Sequence, residues 1–135
     1  MPELKVGDQL PPMQIRFTRE NLVRYAGAAG DFNPIHYSDQ AANALGLPGV
    51  VAHGMLTMGA VSRVITQWLP NLEDLLSYSA RFIRPVVVPD DGQGVLIEVT
   101  AEVSKIVDGI ATIRVDARCA GQKVLGAAKA EVRVE

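Results

Sequence analysis

Met13, Ile15 and Phe17 alternate with Gln14, Arg16 and Thr18, a period of two that predicts a short strand with one buried face. Thr18 then stands as a helix N-cap. Behind it Leu22, Val23, Ala26 and Ala29 recur at helical spacing with Glu20 in the first turn. Gly30 occupies the place of a left-handed C-terminal residue, so the first helix is predicted to stop at about Ala29. Pro34 bars immediate continuation, and Ser38 caps a second short helix, about Asp39 to Leu45, closed by Gly46 and Pro48. Asp31 to Tyr37 is left as a tight loop between helices. From Gly54 to Leu69, Met55, Leu56, Met58, Val61, Val64, Ile65, Trp68 and Leu69 take up most of a helix's circumference, with Arg63 and Gln67 as the exceptions. They predict one helix, buried nearly all round and ~24 Å long at the α-helical rise.

Beyond Pro70 the period becomes two. Tyr78 to Ile83 reads as a strand ended by Pro85. Val95, Ile97, Val99, Ala101 and Val103 then alternate with polar or outward positions, and Asp108-Gly109 supplies a preferred two-residue hairpin turn. Ala111, Ile113, Val115, Ala117 and Cys119 line one face of the next strand. After a turn near Gly121-Gln122, Val124 to Val134 repeats the scheme with Lys129, Glu131 and Arg133 on the wet side. A long apolar helix followed by an antiparallel meander with one apolar face implies an α+β architecture, with the sheet curled around the helix, since each buries what the other exposes.

Composition narrows the class. At 135 residues the expectation is one domain spanning 1–135, and 48% hydrophobic against 21% charged residues excludes intrinsic disorder. A net charge of −2 with no basic block speaks against nucleic acid. The first ten residues carry Glu3, Lys5 and Asp8 and no apolar core of a signal peptide, and the stretch Gly49 to Met58 is interrupted by His53 and well short of the ~20 residues of a membrane span. The expectation is a cytoplasmic protein with no membrane partner. The single cysteine, Cys119, reads as a small hydrophobe of the core.

Polar chemistry is concentrated in one place. Both histidines, His36 and His53, lie between Gly27 and Gly59, together with Asp31 and Asn33. A loop that brings an acid, an amide and an imidazole within six residues, stiffened by Pro34, can hold two titratable groups over one small volume, and Asp31 with His36 is the candidate acid–base pair. Asp31 is also what an Asx turn uses, and Asn33-Pro34 what turn chemistry alone requires. His53-Gly54 falls at the start of the long helix, where free N–H groups and the dipole favour developing negative charge; Gly54 would let a ligand approach closely, or be a plain N-terminal glycine. An acid–base pair beside a helix N-terminus suits proton abstraction next to a carbonyl. The spacing of Asp31, His36, Asp39 and His53 matches no standard ligand pattern, so no metal is expected. Ser62 can point into the same cavity or bond back to its own helix.

Tyr25, then Gly30-Asp31-Phe32-Asn33-Pro34-Ile35-His36 with Ala42 six positions further on, resembles the signature of the MaoC-like dehydratase or (R)-specific enoyl-CoA hydratase family. Ala52-His53-Gly54-Met55-Leu56-Thr57-Met58-Gly59 strengthens it, and the run Arg81-Phe82 through Pro85 to Gly92 is similar to HadB-type subunits of (3R)-hydroxyacyl-ACP dehydratases. Two motifs at the correct mutual spacing are more specific than either alone. Ala28-Ala29 departs from the β-branched or hydroxyl residue many relatives carry before Gly-Asp, without removing a catalytic group.

The resemblance implies a hot-dog fold and dimers, as a homodimer or with a paralogous hot-dog subunit. It implies catalytic roles for Asp31 and His36, an oxyanion-binding amide at Gly54, support from Asn33 and, as in some hydratases, a contribution from Ser62. The activity it implies is reversible hydration of a trans-2-enoyl thioester to the (3R)-hydroxyacyl thioester, carried on acyl carrier protein in fatty-acid elongation. The alternatives are an (R)-specific enoyl-CoA hydratase and a non-catalytic acyl-binding or stabilising subunit. No electrons are transferred, so no metal or redox cofactor is expected, only a substrate on coenzyme A or acyl carrier protein.

Overall fold

The computed structural model describes residues 3–134. The first strand, β1, spans Met13–Phe17, as the alternation predicts. Thr18 caps α1 (Arg19–Ala29) in a capping box whose second half is the Asn21 side chain, and Gly30 closes the helix at φ 72°. Only Leu22 and Ala26 of that helix are buried; Val23, one step off their line, faces solvent. A 3₁₀ turn, Pro34–His36, follows within the predicted loop, then α2 (Asp39–Ala44) with Ser38 as its N-cap.

The long helix is the main correction. It is two pieces, α3 (Gly54–Val61) and α4 (Arg63–Thr66), divided at Ser62. The Ser62 hydroxyl donates to the Gly59 carbonyl at 2.6 Å, the acceptor that the Arg63 N–H would take in an unbroken helix. Beyond the break the Ile65 N–H returns to Ser62 O in a tighter i−3 bond. Nor is the segment buried all round, because Met55 is 61% exposed.

The remaining strands are β2 (Leu75–Phe82), β3 (Val95–Val107), β4 (Ile110–Cys119), the short β5 (Gln122–Lys123) and β6 (Leu125–Arg133). They form an antiparallel sheet in the order β1-β3-β4-β6-β2, with β5 pairing β4 off that path. Asp108 and Gly109, at φ 52° and 74°, make the turn between β3 and β4, the left-handed pair such a hairpin needs. β2 begins three residues before Tyr78, because a register shift between Leu75 and Ser77 breaks the alternation that marks a strand in sequence.

Val61, Val64, Ile65 and Leu69 pack against the inner face made by Ile97, Val99, Val103, Ile113, Val115 and Val132, so the sheet wraps the helical pair. Edge strand β2 is tied to α3 by the Tyr78 hydroxyl, which donates to Met58 O at 2.8 Å; burial pushes this phenol up to about 12 and keeps it a donor. Residues 50–52 thread between the 3₁₀ turn and residues 86–88 through Val51 N to Ile35 O, Ala52 N to Val86 O and Val88 N to Val50 O. That strap delivers His53 to the start of α3. Cys119 is half-buried against the core, and burial raises its thiol away from reactivity.

Candidate active site

The loop 31–37 is shaped by its own side chains. Asp31 Oδ1 accepts the Asn33 N–H at 3.2 Å, and Asn33 Oδ1 accepts the Ile35 N–H at 3.2 Å to start the 3₁₀ turn. Turn-forming and candidate acid–base roles coexist in Asp31 because it has two oxygens: Oδ2 is free of the turn and lies 4.0 Å from His36 Nε2. The Asp31 side chain is 49% exposed, whereas His36 is buried.

His36 Nδ1 lies 2.6 Å from Val51 O. A carbonyl only accepts, so Nδ1 carries the proton, and Nε2 presents its lone pair toward Asp31. Beneath His36 lies His53, its ring stacked at a centroid distance of 3.8 Å and 24° between planes; Tyr25 meets His53 edge-on at 4.7 Å. The three rings are the physical link between the two sequence motifs.

Gly54 opens α3 with no side chain capping the helix, so its first N–H groups are left for another acceptor, while the Thr57 N–H already bonds His53 O. A largely apolar cleft of about 370 Å³ joins these features, lined by Ile35, His36, Gly54, Thr57, Phe82 and Leu125 among others. Its close approach to Gly54 comes from the chain itself: a Cβ there would stand 3.0 to 3.2 Å from the Phe82 ring. The ring that packs over the glycine is 54% exposed.

His36 and Gly54 share the cleft; Asp31 reaches His36 from the solvent side, and Asn33 serves the loop. Of the two readings left open for Ser62, the structure shows the bond back to its own helix. Ser62 does not line the cleft, and its hydroxyl is spent on Gly59 O. Thr57 and Phe82 also line the cleft, two residues that the sequence offers no chemical reason to expect there, while His53 lies behind His36 and outside the lining. Asp31, His36 and His53 offer nitrogen and oxygen atoms spread over up to 4.8 Å. His53 Nε2 also lies 3.3 Å from Asp31 O.

Residues 5–119 match the MaoC like domain. Over 83 residues the chain is 43% identical to a 3-hydroxyacyl-thioester dehydratase X of Mycobacterium tuberculosis, an alignment covering 60% of this chain and 29% of that protein. It is 34% identical over 101 residues to an (R)-specific enoyl-CoA hydratase of Aeromonas caviae, covering 74% of this chain and 69% of the relative. A solved MaoC-like dehydratase superposes with a TM-score of 0.94 at 36% identity over 98% of this chain and 41% of that one. The aligned part of this chain covers less than half the length of the first relative and of that solved structure. The antiparallel sheet around a central helical segment is the hot-dog fold of these neighbours, and the chain belongs to the MaoC-like domain family.

Proposed function

We propose that the chain, acting as a single hot-dog unit, adds water reversibly across a trans-2-enoyl thioester to give the (3R)-hydroxyacyl thioester, as a (3R)-hydroxyacyl-ACP dehydratase subunit of fatty-acid elongation. The observation that carries this reading is the pairing of a tautomer-locked His36, with Nε2 free, and Asp31 Oδ2 at 4.0 Å, beside a cleft that also contains the uncapped start of α3. Four ångströms is too long for a direct hydrogen bond, yet a water at ~2.8 Å from each atom fits in the angle between them.

In hydration that water is held by both groups. Its oxygen bonds C3 as the C2=C3 π bond opens, one water proton passes to the Asp31–His36 pair, and the pair delivers a proton to C2 on the same face. The charge that builds on the thioester oxygen is met by the Gly54 N–H with the help of the α3 dipole, worth ~3 kcal/mol, and the proton-transfer pair supplies a further ~10²- to 10⁴-fold. Dehydration runs the same path backwards. Protons move and no electrons do, so the chemistry requires no redox cofactor.

The apolar cleft wall suits an acyl chain, and Arg84 lies among its lining residues, where a guanidinium can meet the anionic carrier of a pantetheine arm. Acyl carrier protein is the proposed carrier and coenzyme A the competitor, in a cytoplasmic setting. The free edge strand β2, with Leu76, Phe82 and Ile83 exposed along and just after it, supports a second hot-dog subunit as partner, identical or paralogous. A non-catalytic subunit predicts a missing acid or base, whereas here both are present and face each other.

The test is loss of enoyl-thioester absorbance with crotonyl-ACP and crotonyl-CoA in competition. Asp31→Asn and His36→Ala are expected to lower kcat/KM by about 10²- to 10⁴-fold while remaining folded. Near-normal turnover by both would overturn the site, and faster use of the CoA ester would move the reading to the hydratase alternative.

A further inference from the structure

His53 is 1% exposed, and of its two nitrogens only one has a partner among the described residues. Nε2 lies 3.3 Å from Asp31 O, which can only accept, so Nε2 carries the proton. Nδ1 is then a buried acceptor with nothing bonded to it among the described residues. An unmet buried acceptor is a standing cost to the fold, and a phenylalanine would fill the same space and stack on His36 without it. The presence of an imidazole here therefore points to what its other nitrogen does.

That nitrogen grips the Asp31 main chain. Asp31 is held at its carbonyl by His53 and at Oδ1 by the Asn33 N–H, which leaves Oδ2 as the one polar atom aimed at His36. The same His53 ring is the plate on which His36 rests. One side chain thus contacts both members of the acid–base pair, from a position that is not in the cleft lining. Resting on the proposed lyase reading, we infer that His53 is a positioning residue which, as a neutral Nε2–H imidazole, sets the separation between the Asp31 carboxylate and His36 Nε2.

The groups that face it are His36, Asp31 and Tyr25. Burial and the neighbouring His36 both hold His53 below the ordinary histidine value, which keeps it neutral.

Three measurements test this on the full chain. His53→Phe, which removes the unmet Nδ1 together with the grip on Asp31, is expected to keep or raise the melting temperature and lower kcat about 10²-fold with KM unchanged. His53→Gln, which can place an amide N–H where Nε2–H stood, is expected to recover kcat to within about tenfold of the parent. In the unaltered protein, ¹⁵N NMR is expected to show His53 neutral and protonated at Nε2 at pH 7. Unchanged kcat in His53→Phe, a kcat loss matched by loss of folded protein, or a charged His53 at pH 7 would each overturn the inference. If the parent and His36→Ala are equally inactive on enoyl thioesters, it is the lyase reading that fails, and the NMR result still judges the His53 geometry on its own.

Discussion

Phe82 lies over Gly54 so closely that a Cβ on the glycine would stand 3.0 Å from the ring, although the two residues come from opposite layers of the molecule. The last residue of the edge strand therefore sits against the first residue of the helix that offers its free amides to the cleft. Gly54→Ala keeps the N–H and changes only the contact. Phe82 is exposed enough to move, so the substitution is expected to cost at most ~1–2 kcal/mol of stability while lowering kcat/KM by about tenfold or more. Adding Phe82→Ala makes room for the new methyl group. Steady-state kinetics of the double variant should return toward the parent; an uncorrected loss means that the acyl thioester itself needs the space at Gly54.

Ser62 is expected to be silent in catalysis, because its hydroxyl bonds Gly59 O and it is not among the residues that line the cleft. Ser62→Ala should leave kcat and KM within about twofold of the parent. Stability should hold or rise by up to ~0.5 kcal/mol, since alanine is the better helix former and frees the Gly59 carbonyl for the Arg63 N–H. Urea unfolding and the enoyl-thioester assay check the two halves separately.

Stability should fall with acid in two stages. His53 has a folded-state value below its ordinary 6.5, chiefly through burial, so the unfolded chain takes up that proton first and stability declines as pH drops below about 6.5. Asp39 is held below 3.8, first by the Val50 N–H on its carboxylate and then by Arg19, whose guanidinium lies 2.8 Å from Oδ1. Asp91 is lowered by the Gly94 and Gln93 N–H groups. A depressed carboxylate stabilises above its unfolded value and loses that contribution as pH falls through the lower folded one, so the second stage lies below about 3.8. Melting temperatures followed by circular dichroism should show both stages; His53→Gln should remove the first, and Asp39→Asn should weaken the second.

Gly94 cannot carry a side chain. It has φ 68°, and a Cβ there would fall 1.8 Å from the Phe17 carbonyl oxygen, a backbone atom at the end of β1. Gly94→Ala should lower stability by ~2 kcal/mol or more in urea unfolding. Because Gly94 is not among the residues that line the cleft, turnover per folded molecule should be unchanged.

Element starts and stops were legible wherever the deciding contact lies within a few residues. Thr18 bonds Asn21, Ser38 bonds Ala41, Gly30 adopts a left-handed backbone and Asp108-Gly109 turns the hairpin, all interactions that neighbours along the chain complete. Asp31 and His36 were legible as a candidate pair for the same reason: one short loop carries both. The Ser62 break was harder to foresee, because apolar periodicity reports which face of a helix is wanted inside and is silent on whether a hydroxyl will take a backbone carbonyl.

By itself, then, the amino-acid order determined the α+β layout, the caps and turns, and the placing of Asp31 and His36 on one short loop. Tertiary structure decided which side chains surround them: Val51 locking the His36 tautomer from fifteen residues away, His53 reaching the Asp31 carbonyl from twenty-two, and Phe82 arriving over Gly54 from another layer. Those contacts form only when the sheet closes on the helices and the strap at residues 50–52 is clamped between two other segments, so no local pattern of residues encodes them.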